Sequence, residues 1–204
     1  MRHKLPVVAV LGSGSPLPPE RAALARSVGG MVARLGAHLL TGAGFGVMEA
    51  AAEAFVATPG RRGLSLGMVP RDANGAIDTP NHTPDGTLYP NTHVEIAVFT
   101  ALPPRVEDWL DHPSRNHVNV FSADALVALP GSAGTRNELA IAERFRGEQD
   151  RPPSERRTVL VGPPNAFPDD VRTAFCRFET AVDATPHLVR ILRRDGFTLP
   201  ECPP

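Results

Sequence analysis

Along the chain, runs of four or five apolar residues alternate with longer stretches in which apolar positions recur every three or four residues. Short continuous apolar runs suit strands covered on both faces, and the longer periodic ones suit amphipathic helices. Strands are expected near 7–11, 38–41, 64–69, 94–99, 125–129 and 158–161. Helices are expected over 19–35, opened by Pro18–Pro19 and closed by Gly36, and over 46–57, closed by Pro59–Gly60. Two more are expected over 135–145 and 169–182, with a short last one over 187–194. Strand and helix in alternation predict an α/β fold: a single doubly wound domain over 1–204, its central sheet mostly parallel and flanked by helices. Two stretches break the pattern. Residues 71–90, RDANGAIDTPNHTPDGTLYP, read as a long loop insertion, and 184–204 as a C-terminal tail. Length alone does not choose between a lid and an irregular surface loop for the first.

Two of the strands run into glycine loops that open helices. LLTGAGFGVMEAA, at 39–51, sets Gly42, Gly44 and Gly46 between Thr41 and Val47–Met48. ALPGSAGTRNELAIA, at 128–142, keeps Pro130, Gly131, Ser132, Ala133 and Gly134 small before Thr135 and Glu138. Small residues ahead of a helix leave its first amides bare, and those amides with the helix dipole favour an anion. One such loop fits a tight turn as well as a phosphate site. Two loops at the carboxyl edge of one parallel sheet are expected to converge where doubly wound folds bind ligands. Thr135-x-x-Glu138 also has the spacing of a helix capping box, so a purely structural role for both residues stays open.

Composition narrows the chemistry. Lys4 is the only lysine, so neither a Walker A phosphate loop nor a pyridoxal phosphate Schiff base can be built. With 21 basic and 22 acidic residues the net charge is −1, which gives no basic stripe for nucleic acid or an anionic membrane. Cys176 and Cys202 form neither a disulfide framework nor a CxxC clip, and a reducing cytoplasm is the expected compartment. The opening MRHKLPVVAVLGSGS mimics a signal peptide, but its apolar run stops at Leu11, so it is expected to be the first buried strand. No apolar stretch approaches the ~20 residues of a membrane span.

A dinucleotide is not expected. Gly12–Ser13–Gly14–Ser15–Pro16–Leu17 lacks the last glycine of GxGxxG, and the second strand ends in Leu40–Thr41 without a ribose-binding acid. The Gly12–Ser13–Gly14 turn can still line a nucleotide pocket. The seven histidines, at 3, 38, 82, 93, 112, 117 and 187, include no HExxH pair, and neither a metal nor a resident cofactor is expected.

Taken with SRN at 114–116, the two loops resemble the Lonely Guy family, cytokinin-activating phosphoribohydrolases often mislabelled lysine decarboxylases. The family's GGGxxGxM-like loop is matched from Thr41 to Met48, and its PGGxGTxxE motif from Pro130 to Glu138. The resemblance implies a Rossmann-like fold, a homodimer, and catalysis by the arginine of an RK pair together with the motif glutamate, here Arg115 and Glu138. It further implies hydrolysis of the N-glycosidic bond of a nucleoside 5′-monophosphate, with a carboxylate beside the sugar stabilising an oxocarbenium-like transition state. Arg115 would either bond the departing base or neutralise the phosphate; a salt bridge to Asp111 or another acid is its structural alternative.

Three departures stand out: Asn116 replaces the lysine of RK, Ser132 the second glycine of PGG, and Ala43 the middle glycine of GGG. An RN pair also resembles the molybdenum cofactor carrier proteins, which implies a non-catalytic binder or carrier of a phosphorylated ligand as the alternative. Trp109 and Tyr89 are candidates to stack on a base, and His112 and His117 flank Arg115. Glu49 and Glu95 are weaker candidates to line the same cleft.

Overall fold

The computed structural model describes residues 4–71, 81–82, 88–104, 106–108 and 112–201. Seven strands form one parallel sheet: β1 (Val7–Leu11), β2 (His38–Thr41), β3 (Ser65–Val69), β6 (Ile96–Phe99), β7 (Ala125–Ala128), β8 (Thr158–Val161) and β9 (Cys176–Phe178). A separate antiparallel pair, β4 (Asn81–His82) and β5 (Leu88–Tyr89), lies in the segment expected to be irregular. Residues 72–80 and 83–87 of that insertion, with Trp109, Asp111 and Cys202, lie outside the described residues. The strand order is β6-β3-β2-β1-β7-β8-β9. From β1 the chain winds outward through β2 and β3, then returns to β1's other side at β7, so the order reverses between β1 and β7.

The register fixes two layers. Val8 and Val10 of β1 face one way and pack with Leu39, Val127 and Val159 against α1 (Pro19–Arg34), α2 (Val47–Ala57) and α6 (Ala181–Arg194). Ala9 and Leu11 face the other way, with Leu40, Leu126 and Leu160, against α3 (Arg115–Ser122), α4 (Ala133–Phe145) and α5 (Asp169–Ala174). Neighbouring strand residues point to opposite faces, so a strand buried on both sides is apolar throughout. On the first face α1 and α2 lie very close. A Cβ on Gly29 would meet the Ala51 carbonyl oxygen at 2.0 Å, so only glycine fits that crossing.

The C-terminal third corrects the expected elements. The helix expected over 169–182 stops at Ala174; the edge strand β9 follows, and α6 begins at Ala181. The Thr180 hydroxyl accepts from the Asp183 amide at 3.2 Å and caps α6, which runs through Pro186 instead of starting after it. Most of α6 lies in the stretch read as a tail, with Leu188 and Leu192 buried in the first layer. None of the described helices is long and apolar enough to cross a membrane.

Candidate functional site

The reversal of strand order leaves a crevice above the carboxyl ends of β1, β2 and β7, the place where open α/β sheets hold ligands. A cavity of about 160 Å3 opens there, lined by Gly12 and Gly14 after β1, Gly42 and Met48 after β2, Arg115 and Asn116 of α3, and Ser132, Gly134, Thr135 and Glu138 of α4. Val10 and Leu11 complete the wall. The two glycine loops and the RN pair therefore converge on one space.

The loop after β2 is held from behind. The Tyr89 hydroxyl donates to the Gly42 carbonyl at 3.0 Å, and Asn91 Nδ2 donates to the carbonyls of Ala43 at 3.2 Å and Gly44 at 2.6 Å. Thr41 Oγ1 accepts from the Ala43 amide at 3.1 Å. Tyr89 thus braces the loop, and its hydroxyl is held above the usual phenol range by burial, opposed by the Arg115 charge. Ala43 is fully buried with φ 62°, the left-handed conformation that a glycine in the family loop adopts without strain. Ala43→Gly is expected to stabilise the fold by roughly 0.5–1 kcal/mol, read as a melting temperature about 1–4 °C higher.

Some amides of this loop are taken up within the protein. The Val47 amide donates to the Ser13 carbonyl at 2.9 Å and that of Met48 to the Phe45 carbonyl at 3.2 Å, so the first two amides of α2 are satisfied by the protein itself. Gly44 and Gly46 lie behind the wall: Gly44 gives room to the Met48 methyl, and Gly46 is the N-cap of α2. Ser13 Oγ accepts from the Ser15 amide at 3.2 Å, and Val47 packs under Gly12. The anion-seeking end belongs to α4.

α4 starts at Ala133, two residues earlier than expected, with Ser132 as N-cap and no side-chain cap. Thr135 and Glu138 therefore sit inside the helix and form no capping box. Pro130 packs on Gly162, and Gly131 lies directly under the Thr135 hydroxyl. That hydroxyl, on a residue only 4% exposed, has no hydrogen-bond partner in the protein. The first amides of a helix lack intrahelical acceptors, so α4 offers bare N–H groups and a free hydroxyl at one spot.

Arg115 and Glu138 both line this spot. Arg115 is the first residue of α3, a helix opened by a Ser114–His117 capping box. Its guanidinium lies against the Gly42 backbone, where a Cβ would come within 1.6 Å of Nη1, and its Nε has no hydrogen-bond partner. Glu138 is 7% exposed and accepts from Asn119 Nδ2 at 2.8 Å. Burial holds the Glu138 carboxyl above the ordinary carboxylate range, and the Arg115 charge and the Asn119 hydrogen bond only partly offset this. Among the described residues no ion pair joins Arg115 to Glu138. A site with one cation, one reluctant acid and bare amides can bind an anion and stabilise a neighbouring positive charge.

Asn119 and Asn91 were not foreseen. Asn119 falls one turn after Arg115, the spacing that puts two helical residues on one face, but no helix was expected over that stretch. His117 is taken up by Ser114, whose amide lies 3.0 Å from Nδ1, and His112 Nδ1 lies 3.7 Å from an Asp108 carboxylate oxygen; neither lines the cavity. Glu95 ion-pairs with Arg61 at 2.6 Å, and Glu49 lines a separate groove between α1 and α2. Among the described residues no group of three or more histidines, cysteines or acids is placed to hold a metal.

Known structures share this fold. The molybdenum cofactor carrier protein of Chlamydomonas reinhardtii is 21% identical and aligns over 93% of this chain and 99% of its own, with a TM-score of 0.64. The molybdenum cofactor binding protein of Rippkaea orientalis is 22% identical over 94% of this chain and 99% of its own, with a TM-score of 0.65. DNA processing protein A of Helicobacter pylori, described by its single-stranded DNA binding mode, is 13% identical over 90% of this chain and 80% of its own, at 0.60. A comparison with curated protein sequences finds no match. The sequence profile of the SLOG cluster4 family matches residues 5–147, a span that contains every residue of the cavity wall, and the chain belongs to that family.

Proposed function

We propose that this protein binds a nucleoside 5′-monophosphate or a close analogue and hydrolyses its N-glycosidic bond, releasing free base and ribose 5-phosphate. The observation that supports this best is the presence of both Arg115 and Glu138 in the wall of one small cavity at the α4 N-terminus. Bare amides, the Thr135 hydroxyl and the Arg115 fork suit a phosphate. In the reaction the C1′–N bond breaks, water supplies a hydroxyl to C1′, and the proton water loses leaves with the base. Positive charge grows on the sugar as the bond breaks, and the Glu138 carboxylate stabilises it and orients the water. The near-balanced net charge of −1 gives no electrostatic track for a nucleic-acid strand, which favours a small molecule over the DNA ligand of the H. pylori protein. The family resemblance adds a homodimer as the working unit.

The test is direct. Incubation with AMP, prenylated AMP and the other monophosphates should yield base and ribose 5-phosphate in equal amounts, followed by chromatography. No release above a heat-inactivated control from any of them defeats the hydrolase reading.

One observation favours a second reading, a carrier that holds a phosphorylated ligand such as the molybdenum cofactor without turnover. Asn116 stands where Lonely Guy enzymes have lysine, and its side chain is engaged by Asn137 at 2.8 Å. The Chlamydomonas and Rippkaea proteins, named for that cofactor, share the fold. A ligand that binds only the folded state raises the melting temperature with its concentration. A rise with molybdenum cofactor, and no base released from any nucleotide, selects the carrier.

A further inference from the structure

The central cavity, at about 160 Å3, is smaller than the roughly 300–1,000 Å3 of pockets that enclose whole ligands of this kind. It has room for a sugar phosphate, and a ring attached to that sugar must extend beyond it. Ser132 and Thr135 belong both to its wall and to that of a larger groove, about 750 Å3, between α4 and the connection from β8 to α5. The groove's floor is apolar: Leu129, Leu139, Phe167 and Val171 line it and are each more than nine-tenths buried.

A polar partition separates the two spaces. Asn116 Nδ2 donates to Asn137 Oδ1 at 2.8 Å, with Asn116 lining the cavity and Asn137 the groove. Paired amides offer both donors and acceptors to a heteroaromatic edge. On the opposite flank, the groove of about 660 Å3 between α1 and α2 shares only Gly14 with the cavity, and its Glu53 is paired with Arg26 at 2.9 Å.

We propose that the groove between α4 and the β8–α5 connection is the subsite for the planar ring carried by the phosphorylated sugar, and that the Asn116–Asn137 pair reads the ring's edge. This rests on the reading that the central cavity holds the sugar phosphate. An apolar floor with a few convergent polar groups is how sites of this type hold and orient rings. The departure from RK to RN then has a role: the amide that replaces the lysine ammonium turns a charge into a hydrogen-bonding reader.

The experiment compares melting shifts with inorganic phosphate, ribose 5-phosphate, AMP, GMP, CMP and UMP on the full chain. At least one monophosphate is expected to bind about tenfold or more tightly than ribose 5-phosphate, a difference of about 1.4 kcal/mol. Ala140→Phe, which fills the groove from α4, should erase that advantage and leave ribose 5-phosphate binding unchanged. Ala22→Trp, which fills the opposite groove, should leave both unchanged. Asn137→Ala should alter the ranking among the four bases, and it tests the inference even where Ala140→Phe does not fold. The inference is overturned if no monophosphate exceeds ribose 5-phosphate, if Ala22→Trp and not Ala140→Phe removes the advantage, or if Asn137→Ala leaves the ranking intact. Failure of phosphate and ribose 5-phosphate themselves to raise the melting temperature would instead defeat the phosphate reading of the cavity, and the subsite with it.

Discussion

Glu138→Gln is expected to lower base release about 1,000-fold and, at neutral pH, to raise the melting temperature. The second effect follows from the direction of the titration. Burial lifts the Glu138 carboxyl above its ordinary range, so the folded chain keeps this proton over a window in which the unfolded chain has lost it. Stability contributed by the neutral form is complete below the ordinary carboxylate range and declines as pH rises through the lifted value. Glutamine has no charge to bury and can still accept from Asn119. Each kcal/mol recovered should appear as about 2–4 °C, and the gap should close near pH 4, where wild type is also neutral. Because the ionised form is the working one, the wild-type rate should climb with pH through the same lifted titration. A variant as active as wild type would remove Glu138 from the chemistry.

The other large effect is expected at Gly42. A methyl there would come within 1.6 Å of Arg115 Nη1, and the Gly42 carbonyl, tied to the Tyr89 hydroxyl, leaves the backbone little room to retreat. The guanidinium has to move. A displacement of about 1 Å in a positioning group costs on the order of 100-fold, so Gly42→Ala should lower kcat/KM by about that factor. The double variant with Arg115→Ala supplies the check, since residues that act through one contact are not additive. It should be no worse than Arg115→Ala alone; a further drop would show that Gly42 acts by another route.

The layout of the sheet was legible because its inner strands are buried on both faces and so appear as unbroken apolar runs. What misled the reading was polarity turned inward. α3 shows no apolar stripe in RNHVNVFS because its buried positions are Asn116, His117, Asn119 and Val120, three of them polar. Two of those line the site or support it, and the feature that hides the helix from a hydrophobic pattern is the one that builds the cavity. With α3 unseen, the pairing of Asn119 with Glu138 could not be foreseen. The glycine loops were legible as motifs, but not the distribution of their amides. That depends on the Ser13 carbonyl reaching across from the first loop to the Val47 amide, a contact between segments more than thirty residues apart. Past residue 169 the error was of length: CRF is too short a strand to interrupt a helical reading, and Pro186 looked like a boundary where α6 passes through it.

The wall of the cavity comes from segments at 10–14, 42–48, 115–116 and 132–138, which meet only where the two halves of the sheet join at β1 and β7. No fragment ending before α4 contains both the arginine and the acid. A molecule seated there bridges the halves, so its binding energy is felt by the whole cooperative unit and not by a single loop. Occupancy and integrity of the fold are in this way one equilibrium, and a cell short of the ligand would hold the same chain in a less durable form.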